Sequence, residues 1–364
     1  MGGQPLSAAL SNAQRQRNFR ERRALYSDQG VAVASLVRAA IATGRAKIDN
    51  TIKPLEFARQ QWDDSRVELV LRAAVNPTAL SNTPALTQIS FAFLRALAPM
   101  SAGADLLARG IELSFGCAAS IMVPGIAIPV AGFVGEGKPI PVVSAPTSAG
   151  ATLLPHNVKA IAVLTNEMLR SSNAETLVRD ALIQSTGPAL DQVLFSANAA
   201  TSDAPAGILN GIAPLTPAAA GPIKGEILVD DLQKLATAIG PVSGNGGIVL
   251  VASPDAAAAL VMRLPASVEW PVFTSASLSA RTVICIAAAA VASAVEGVPQ
   301  IEAGSYPALH FDTQPSEAVD IGGVMARPMY STYQSDEVAL RLRWPISWAL
   351  RTSAGLAWMN NVNW

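Results

Sequence analysis

Apolar positions recur at three- and four-residue spacing late in the first half of the chain. Leu177, Val178, Ala181, Leu182, Leu190, Val193 and Leu194 fall on one stripe. The pattern predicts a long helix over about 174–198, with Asn173 as its cap. Pro188, after Gly187, is expected to bend it. At 1.5 Å per residue such a strut is roughly 37 Å long. Just ahead, VKAIAVLTNEML (158–169) reads as a strand running into a turn.

Upstream of that strand the period changes. Ile121, Val123, Ile126, Ile128, Val130 and Val134 are apolar and β-branched, among prolines and glycines too dense for a packed helix. They predict a long two-stranded ribbon. A ribbon alone is barely stable in water, so this one needs another surface to lie on.

The remaining chain is mixed. Residues 1–75 read as helical after an arginine cluster, with Phe57, Trp62, Val70, Leu71 and Ala74 roughly on one side. This is either an inward-facing, scaffold-like arm or an ordinary solvated helix pair. Residues 76–104, punctuated by Pro77, Pro84 and Pro99, fit an extended arm with a short helix. Residues 200–225 are a turn-rich crossing. Asp230 is expected to cap a helix carrying Leu232, Leu235, Ala236 and Ile239. GIVLVA (247–252) reads as a buried strand, and Ser253-Pro254-Asp255 opens the next helix, a cap followed by proline. Short apolar strands follow to about residue 325. Near the end Val338, Leu340, Leu342 and Trp344 alternate with Ala339, Arg341 and Arg343, a strand with one wet face. Strands and helices mix without sustained βαβ alternation, so the class is α+β.

Composition narrows the function. Half of the 364 residues are hydrophobic and only 15% are charged, which excludes a disordered chain. So apolar a chain with 26 glycines and 25 prolines must expose apolar loops, and it expects partners. The uncharged run 113–135 is long enough for a membrane span, but its prolines and glycines argue against one, and Thr282–Val295 is too short. The start, MGGQPLSAAL, lacks the features of an export signal. Charge is unevenly spread. Residues 1–75 hold 12 Lys/Arg and 7 Asp/Glu, a net of +5, against −6 for the rest. The cluster Arg15, Arg17, Arg20, Arg22 and Arg23 is a candidate inner-face basic segment.

Chemistry is sparse. Two histidines, His156 and His310, and two cysteines, Cys117 and Cys285, leave a four-ligand zinc site out of reach, and no disulfide framework is expected. The histidines read as structural and Cys117 as an inert buried thiol. Gly135-Glu136-Gly137-Lys138 lacks the spacing of a phosphate loop, and Gly244-Asn245-Gly246-Gly247 precedes a strand rather than following one. The pairs Asp63-Asp64, Asp230-Asp231 and Asp336-Glu337 read as caps or solvated faces. No catalytic residue, cofactor site or metal site is assigned.

A resemblance gathers these pieces. AGFVGEGKPIPV, PHNVKAIAVLTNEMLRSSN and ETLVRDALIQSTGPALDQVLF, over 131–195, resemble the major capsid proteins of tailed bacteriophages of the Hong Kong 97 type. The motif positions are Gly132, Val134 and Glu136; Thr165, Glu167 and Leu169; Arg179-Asp180; and Leu190-Asp191. RVELVLRAAVNPTAL and the close, DEVALRLRWPISWALRTSAGLAWMNNVNW, are similar too, so the likeness spans most of 55–364. It implies a basic helical N-terminal segment (1–75), an N-arm (76–115) and an extended loop (116–158). It further implies a peripheral domain (159–204 and 321–364) around a spine helix, and an axial domain (205–320). Ile121, Val123, Ile126, Ile128, Val130, Phe133, Val134, Glu136 and Lys138 would form the intersubunit loop. Leu177, Val178, Leu182, Leu190, Val193 and Leu194 would line the spine helix.

The implied function is a non-enzymatic head protein. It would self-assemble through pentamers and hexamers into an icosahedral shell around double-stranded DNA, with diffuse DNA contact. Portal, scaffold or decoration proteins would be its partners, with no membrane involved. Its place would be the virion, assembled in the host cytoplasm. Some relatives weld subunits through a loop lysine and a peripheral asparagine. Here Lys138 is the loop's only lysine and no Asn occurs from 320 to 350, so no cross-link is expected. Many relatives also carry a cleaved scaffolding segment, which residues 1–75 could represent in reduced, retained form. An encapsulin-type nanocompartment shell and an uncharacterised soluble enzyme are the alternatives.

Overall fold

In the computed structural model the residues described are 31–49, 52–75, 84–116, 118–125, 134, 150–171, 173–244, 247–264, 270–304, 308–309, 330–332 and 334–364. The run VAVASLVRAAIATG is apolar on most of its circumference, and a helix with so little polar face must be buried. It forms α1 (31–48), with Leu36, Val37, Ala40 and Ile41 buried in the main core. Two shorter helices follow, α2 (Pro54–Gln61) and α3 (Ser65–Val75). The reading as an ordinary solvated helix is therefore corrected for α1, while α2 and α3 are only partly buried. The mechanism is plain: α1 buries apolar surface against distant elements.

Two more helices, α4 (Pro84–Leu97) and α5 (Ala102–Arg109), sit where an extended arm with one short helix was expected. Leu86, Phe93, Leu94 and Leu97 of α4 and Leu106 and Leu107 of α5 are buried. Pro84 and Pro99 do punctuate this region, but at helix boundaries, where proline is tolerated. The Phe93 ring packs edge-on to Trp344, with centroids 5.1 Å apart.

Next come β1 (Ile111–Ser114), β2 (Ile121–Val123), β3 (Ala151–Leu153) and β4 (His156–Thr165). A short helix α6 (Asn166–Arg170) leads into the long helix α7 (Ala174–Leu194). Then α8 (Lys224–Ser243), β5 (Ile248–Ala252) and α9 (Pro254–Arg263) alternate. The rest is mainly strand: β6 (Val272–Thr274), β7 (Val283–Ala287), β8 (Val291–Val295), β9 (Gln300–Gly304), β10 (Ala308–Leu309), β11 (Tyr330–Ser331), β12 (Glu337–Leu350) and β13 (Leu356–Met359). The class is α+β, as the sequence predicts. Asp230 is not a cap. It lies inside α8, which starts six residues earlier at Lys224.

Two main sheets organise the molecule. The first runs β1-β8-β12-β4, with β9 also paired to β12. Its central strand β12 pairs antiparallel with β4 along ten residues, from Glu337↔Thr165 to Ile346↔His156. Its other edge takes β9 and then β8. The second sheet runs β13-β7-β5-β6. Its residues Val249, Val251, Ile284 and Ile286 face the main core, while Leu250, Ala252, Val283 and Cys285 face a second core under α8 and α9. Being buried on both faces explains why β5 and β7 are continuous apolar runs.

This interleaves the expected partition. β8 and β9, inside the expected 205–320 unit, join the first sheet, and β13, inside the expected 321–364 unit, joins the second. Strand pairing follows tertiary contact rather than chain order. Among the described residues no helix is long and apolar enough to cross a membrane.

Candidate functional site

The surfaces marked out by the sequence are the foot of the ribbon and the long helix. The ribbon begins as β2 and β3, antiparallel, with Ile121↔Leu153, Met122↔Thr152 and Val123↔Ala151 opposed. Gly150 closes the ladder. A Cβ there would lie 2.5 Å from the Val123 carbonyl oxygen, so no larger residue fits. Val123 and Leu153 pack with Phe115, Ala292 and Ala294 in a small core of their own, with Ile121 against it. Met122 on the other face is 66% exposed, and Leu154 and Val134 are exposed too. The ribbon's foot is thus anchored on one side and apolar and open on the other. Arg351 clips it from outside, donating through Nε to the Pro124 carbonyl (3.1 Å). Ile126, Ile128, Val130, Phe133, Glu136 and Lys138 lie outside the described residues, as do Arg15, Arg17, Arg20, Arg22 and Arg23.

The strand-to-helix joint explains the T-x-E-x-L spacing. Thr165 caps α6, its hydroxyl accepting from the Met168 amide (3.2 Å). Glu167 stands exposed in the first turn, where negative charge suits the helix dipole. Leu169 is fully buried against Gly44 of α1, where a Cβ would come within 3.2 Å of it. Arg45 of α1 donates to the Leu169 carbonyl (2.7 Å).

In α7 the expected stripe is mostly buried. Val178, Leu182, Leu190 and Leu194 are at most 1% exposed, with Val193 half-buried. Leu177 is the correction. At 39% exposed it points away from the core, and the buried face continues instead through Ile183, Thr186 and Gly187. Asn173 occupies the cap position without a side-chain cap bond, and the helix ends at Leu194, short of 198. Pro188 is accommodated inside the helix, on its exposed side. Arg179 and Asp180 are exposed.

Asp191 carries more than its motif suggested. It is 3% exposed and accepts hydrogen bonds from the Ser101 hydroxyl, the Ala102 amide (3.2 Å), the Gly103 amide (2.9 Å) and the Ser275 hydroxyl (2.7 Å). The carboxylate meets the amino end of α5, where unpaired amides and the helix dipole favour negative charge. Gly103 permits the approach: a Cβ there would lie 2.5 Å from Leu194 Cδ2. One side chain thereby ties α7, α5 and the loop after β6 together.

The N-terminal helices meet α7 through a second cluster. Arg38 donates to both Glu175 oxygens at 3.2 Å, and the Trp62 indole donates to the same carboxylate at 3.0 Å. Sequence reading missed this contact, since Arg38 and Glu175 are 137 positions apart.

Little here can do bond chemistry. His156 lies at the start of β4, lining a cavity of about 330 Å³ with Thr152, Asn210, Ser347 and Trp348. Its Nε2 faces the Thr201 carbonyl (3.4 Å), and its buried Nδ1 has no partner among the described residues. No carboxylate or thiol stands in that lining, and its hydroxyls, Thr152, Ser347 and Ser353, have no hydrogen bond to His156. Burial pushes the Cys285 thiol up to about 12, far from a working nucleophile. Cys117 and His310 lie outside the described residues. Among the described residues no three His, Cys, Asp or Glu side chains gather as a metal site.

Comparisons with known proteins address this same region. Residues 118–262 match the model of the phage capsid family, from the ribbon's foot through α7 and β5 to α9. No curated protein sequence matches. Among solved structures, a chain of the satellite phage P4 procapsid aligns with TM-score 0.49 at 9% identity, covering 80% of this chain and 96% of that one. A chain of Mycobacterium phage Cain aligns with TM-score 0.44 at 16% identity, covering 70% and 89%. A chain from the capsid of an empty GTA particle gives 0.46 at 14%, covering 72% and 90%. The matched model and the sequence resemblance agree in pointing to the phage capsid family over residues 118–262.

Proposed function

We propose that this chain is the major capsid protein of a tailed bacteriophage or prophage, a structural protein that builds the head by self-assembly. The observation that carries the reading is the family match over 118–262, which covers the ribbon's foot and the long helix together. The geometry supports it. A ribbon whose foot is anchored on one face and apolar on the other is half a structure, and the missing half is a neighbouring subunit.

In the proposed shell the extended loop, 116–158, lies across an adjacent copy, in hexamers and pentamers. At about 25 cal/mol per Å² of apolar area, a few hundred Å² per loop gives several kcal/mol per contact. Repeated around a closed symmetric lattice, such contacts make a stable container. The α7 region and first sheet serve as the peripheral domain, and the second sheet with α8 and α9 as the axial domain. Double-stranded DNA is held diffusely inside, with the arginines at 15–23 as its contacts. A near-neutral body suits a container that must release its genome. Portal, scaffold or decoration proteins complete the particle, which is assembled in the host cytoplasm.

Negative-stain microscopy and sizing of the expressed chain test this. Closed shells or megadalton capsomer assemblies are expected, and a stable species of about 38 kDa at all concentrations would overturn it. Enzyme cargo inside purified shells would instead indicate a nanocompartment.

A further inference from the structure

β4 is an edge strand. β12 occupies one of its sides, and among the described residues no backbone group bonds to the other. The open edge is ten residues long, about 33 Å at 3.3 Å per residue. Its sequence, HNVKAIAVLT, carries one charge, Lys159, and its Ile161 is 54% exposed. Soluble proteins normally blunt such edges with charge, proline, bulges or a covering element. Among the described residues this one has only the single lysine, and the amides and carbonyls left unpaired there are a template for another strand.

The strand is also complementary to itself. A two-fold axis perpendicular to the sheet keeps each face on its own side, so opposed residues must share a face. One face of β4 holds Val158, Ala160 and Leu164, packed toward the core, and the opposite face holds Asn157, Lys159, Ile161 and Val163. An axis through residue 159 would set lysine against lysine. An axis through residue 160 instead opposes Lys159 to Ile161, Val158 to Ala162 and Asn157 to Val163. There the lysine stem covers the exposed isoleucine of the other copy, and its ammonium stays in water. Small Ala160 and Ala162 let the backbones close.

We infer that β4 pairs antiparallel with β4 of a second copy about a two-fold axis at Ala160, fusing two five-stranded sheets into one of ten strands. The inference rests on the self-assembling reading above. It adds a specific surface, separate from the ribbon, with its own register.

Chains with one introduced cysteine in a Cys117→Ser background, where the remaining Cys285 is fully buried, test it. Opposed strand residues have Cα atoms roughly 4.5–5.5 Å apart, within disulfide range. Under mild oxidation Ala160→Cys is expected to give mostly covalent dimer. Thr165→Cys, whose copies would lie about 33 Å apart, is expected to give none. Ile161→Lys, placed opposite Lys159, should cut the dimer yield of Ala160→Cys at least tenfold, and Ile161→Glu should preserve it. Absence of dimer from Ala160→Cys in both assembled and unassembled fractions overturns the pairing. Equal yields with the two Ile161 variants overturn its register. Shells without the cross-link would remove this interface and leave the shell reading standing. Cross-linked dimers that never form shells would do the reverse.

Discussion

The Ser275 hydroxyl donates a 2.7 Å hydrogen bond to the Asp191 carboxylate, joining the loop after β6 to α7. Asp191 is otherwise held by three donors from residues 101–103. Removing Asp191 therefore strands four buried donors, whereas removing Ser275 leaves the carboxylate still bonded. Hydrogen bonds to charged groups each contribute about 1.5–3 kcal/mol. Asp191→Ala should lose about 3 kcal/mol or more in urea unfolding, and Ser275→Ala about half that. Equal losses would show that Ser275 is the sole useful partner.

The N-terminal helix should be indispensable to the fold. Leu36 is fully buried in the main core, and Leu36→Ala is expected to cost about 2–5 kcal/mol. Arg38→Ala, which loses a half-exposed ion pair, should cost about 1 kcal/mol or less. A chain beginning at residue 49 should be insoluble or molten, as read by near-ultraviolet circular dichroism. A mature particle subunit starting after residue 48 would contradict this.

Glu112 gives the stability a pH dependence. Burial raises its carboxyl above the ordinary 4.5, against the opposing pull of Arg95, which binds both its oxygens. A raised carboxyl binds its proton more tightly when folded. Its contribution is thus full below the unfolded value and lost as pH rises through the folded one. The urea midpoint should fall across that window in the parent and less so in Glu112→Gln. Identical slopes would assign the effect to another group.

Cys285 should be silent. With its thiol pushed up to about 12, only about one molecule in ten thousand carries a thiolate at pH 8. In a Cys117→Ser background, labelling by a thiol reagent should follow global unfolding, and rapid labelling of the native protein would show that β7 opens locally.

No covalent ladder should appear on reduced, boiled denaturing gels of assembled particles. Asn360, Asn361 and Asn363 follow β13 of the second sheet, and the Asn363 amide already donates to the Ala218 carbonyl (2.8 Å). A ladder would show that Lys138 finds another partner.

What could be read in the sequence was what local period controls. The stripe Val178–Leu182–Leu190–Leu194 and the alternation Val338–Leu340–Leu342–Trp344 are both buried as spaced. β12 was underestimated because Ile346, Ser347 and Trp348 are buried on both faces, which erases alternation. α1 is not set apart by a reading of residues 1–75 as one basic helical stretch, although its own run, 31–44, holds a single charge, Arg38. Asp230 looked like a cap, yet α8 starts at Lys224 with Ile223 in the cap position. At the functional surfaces the motif spacings around Thr165 and Asp191 were visible, but their partners were not. Ser101 and Ser275 lie about 90 and 84 positions from Asp191, and no local pattern encodes contacts that remote.

Strand β12 has a bearing on biosynthesis. It is the middle of the first sheet, holding β4, β8 and β9, which precede it in the chain. β4 and β9 have no other strand partner among the described residues, so their ladders wait for residues 337–346 to leave the ribosome, whereas β8 can first pair with β1, and β13 must then complete the second sheet. Contacts this distant in sequence form slowly. Under the self-assembly proposed above, a nascent chain accordingly has no finished surface to offer its siblings until β12 and β13 have emerged.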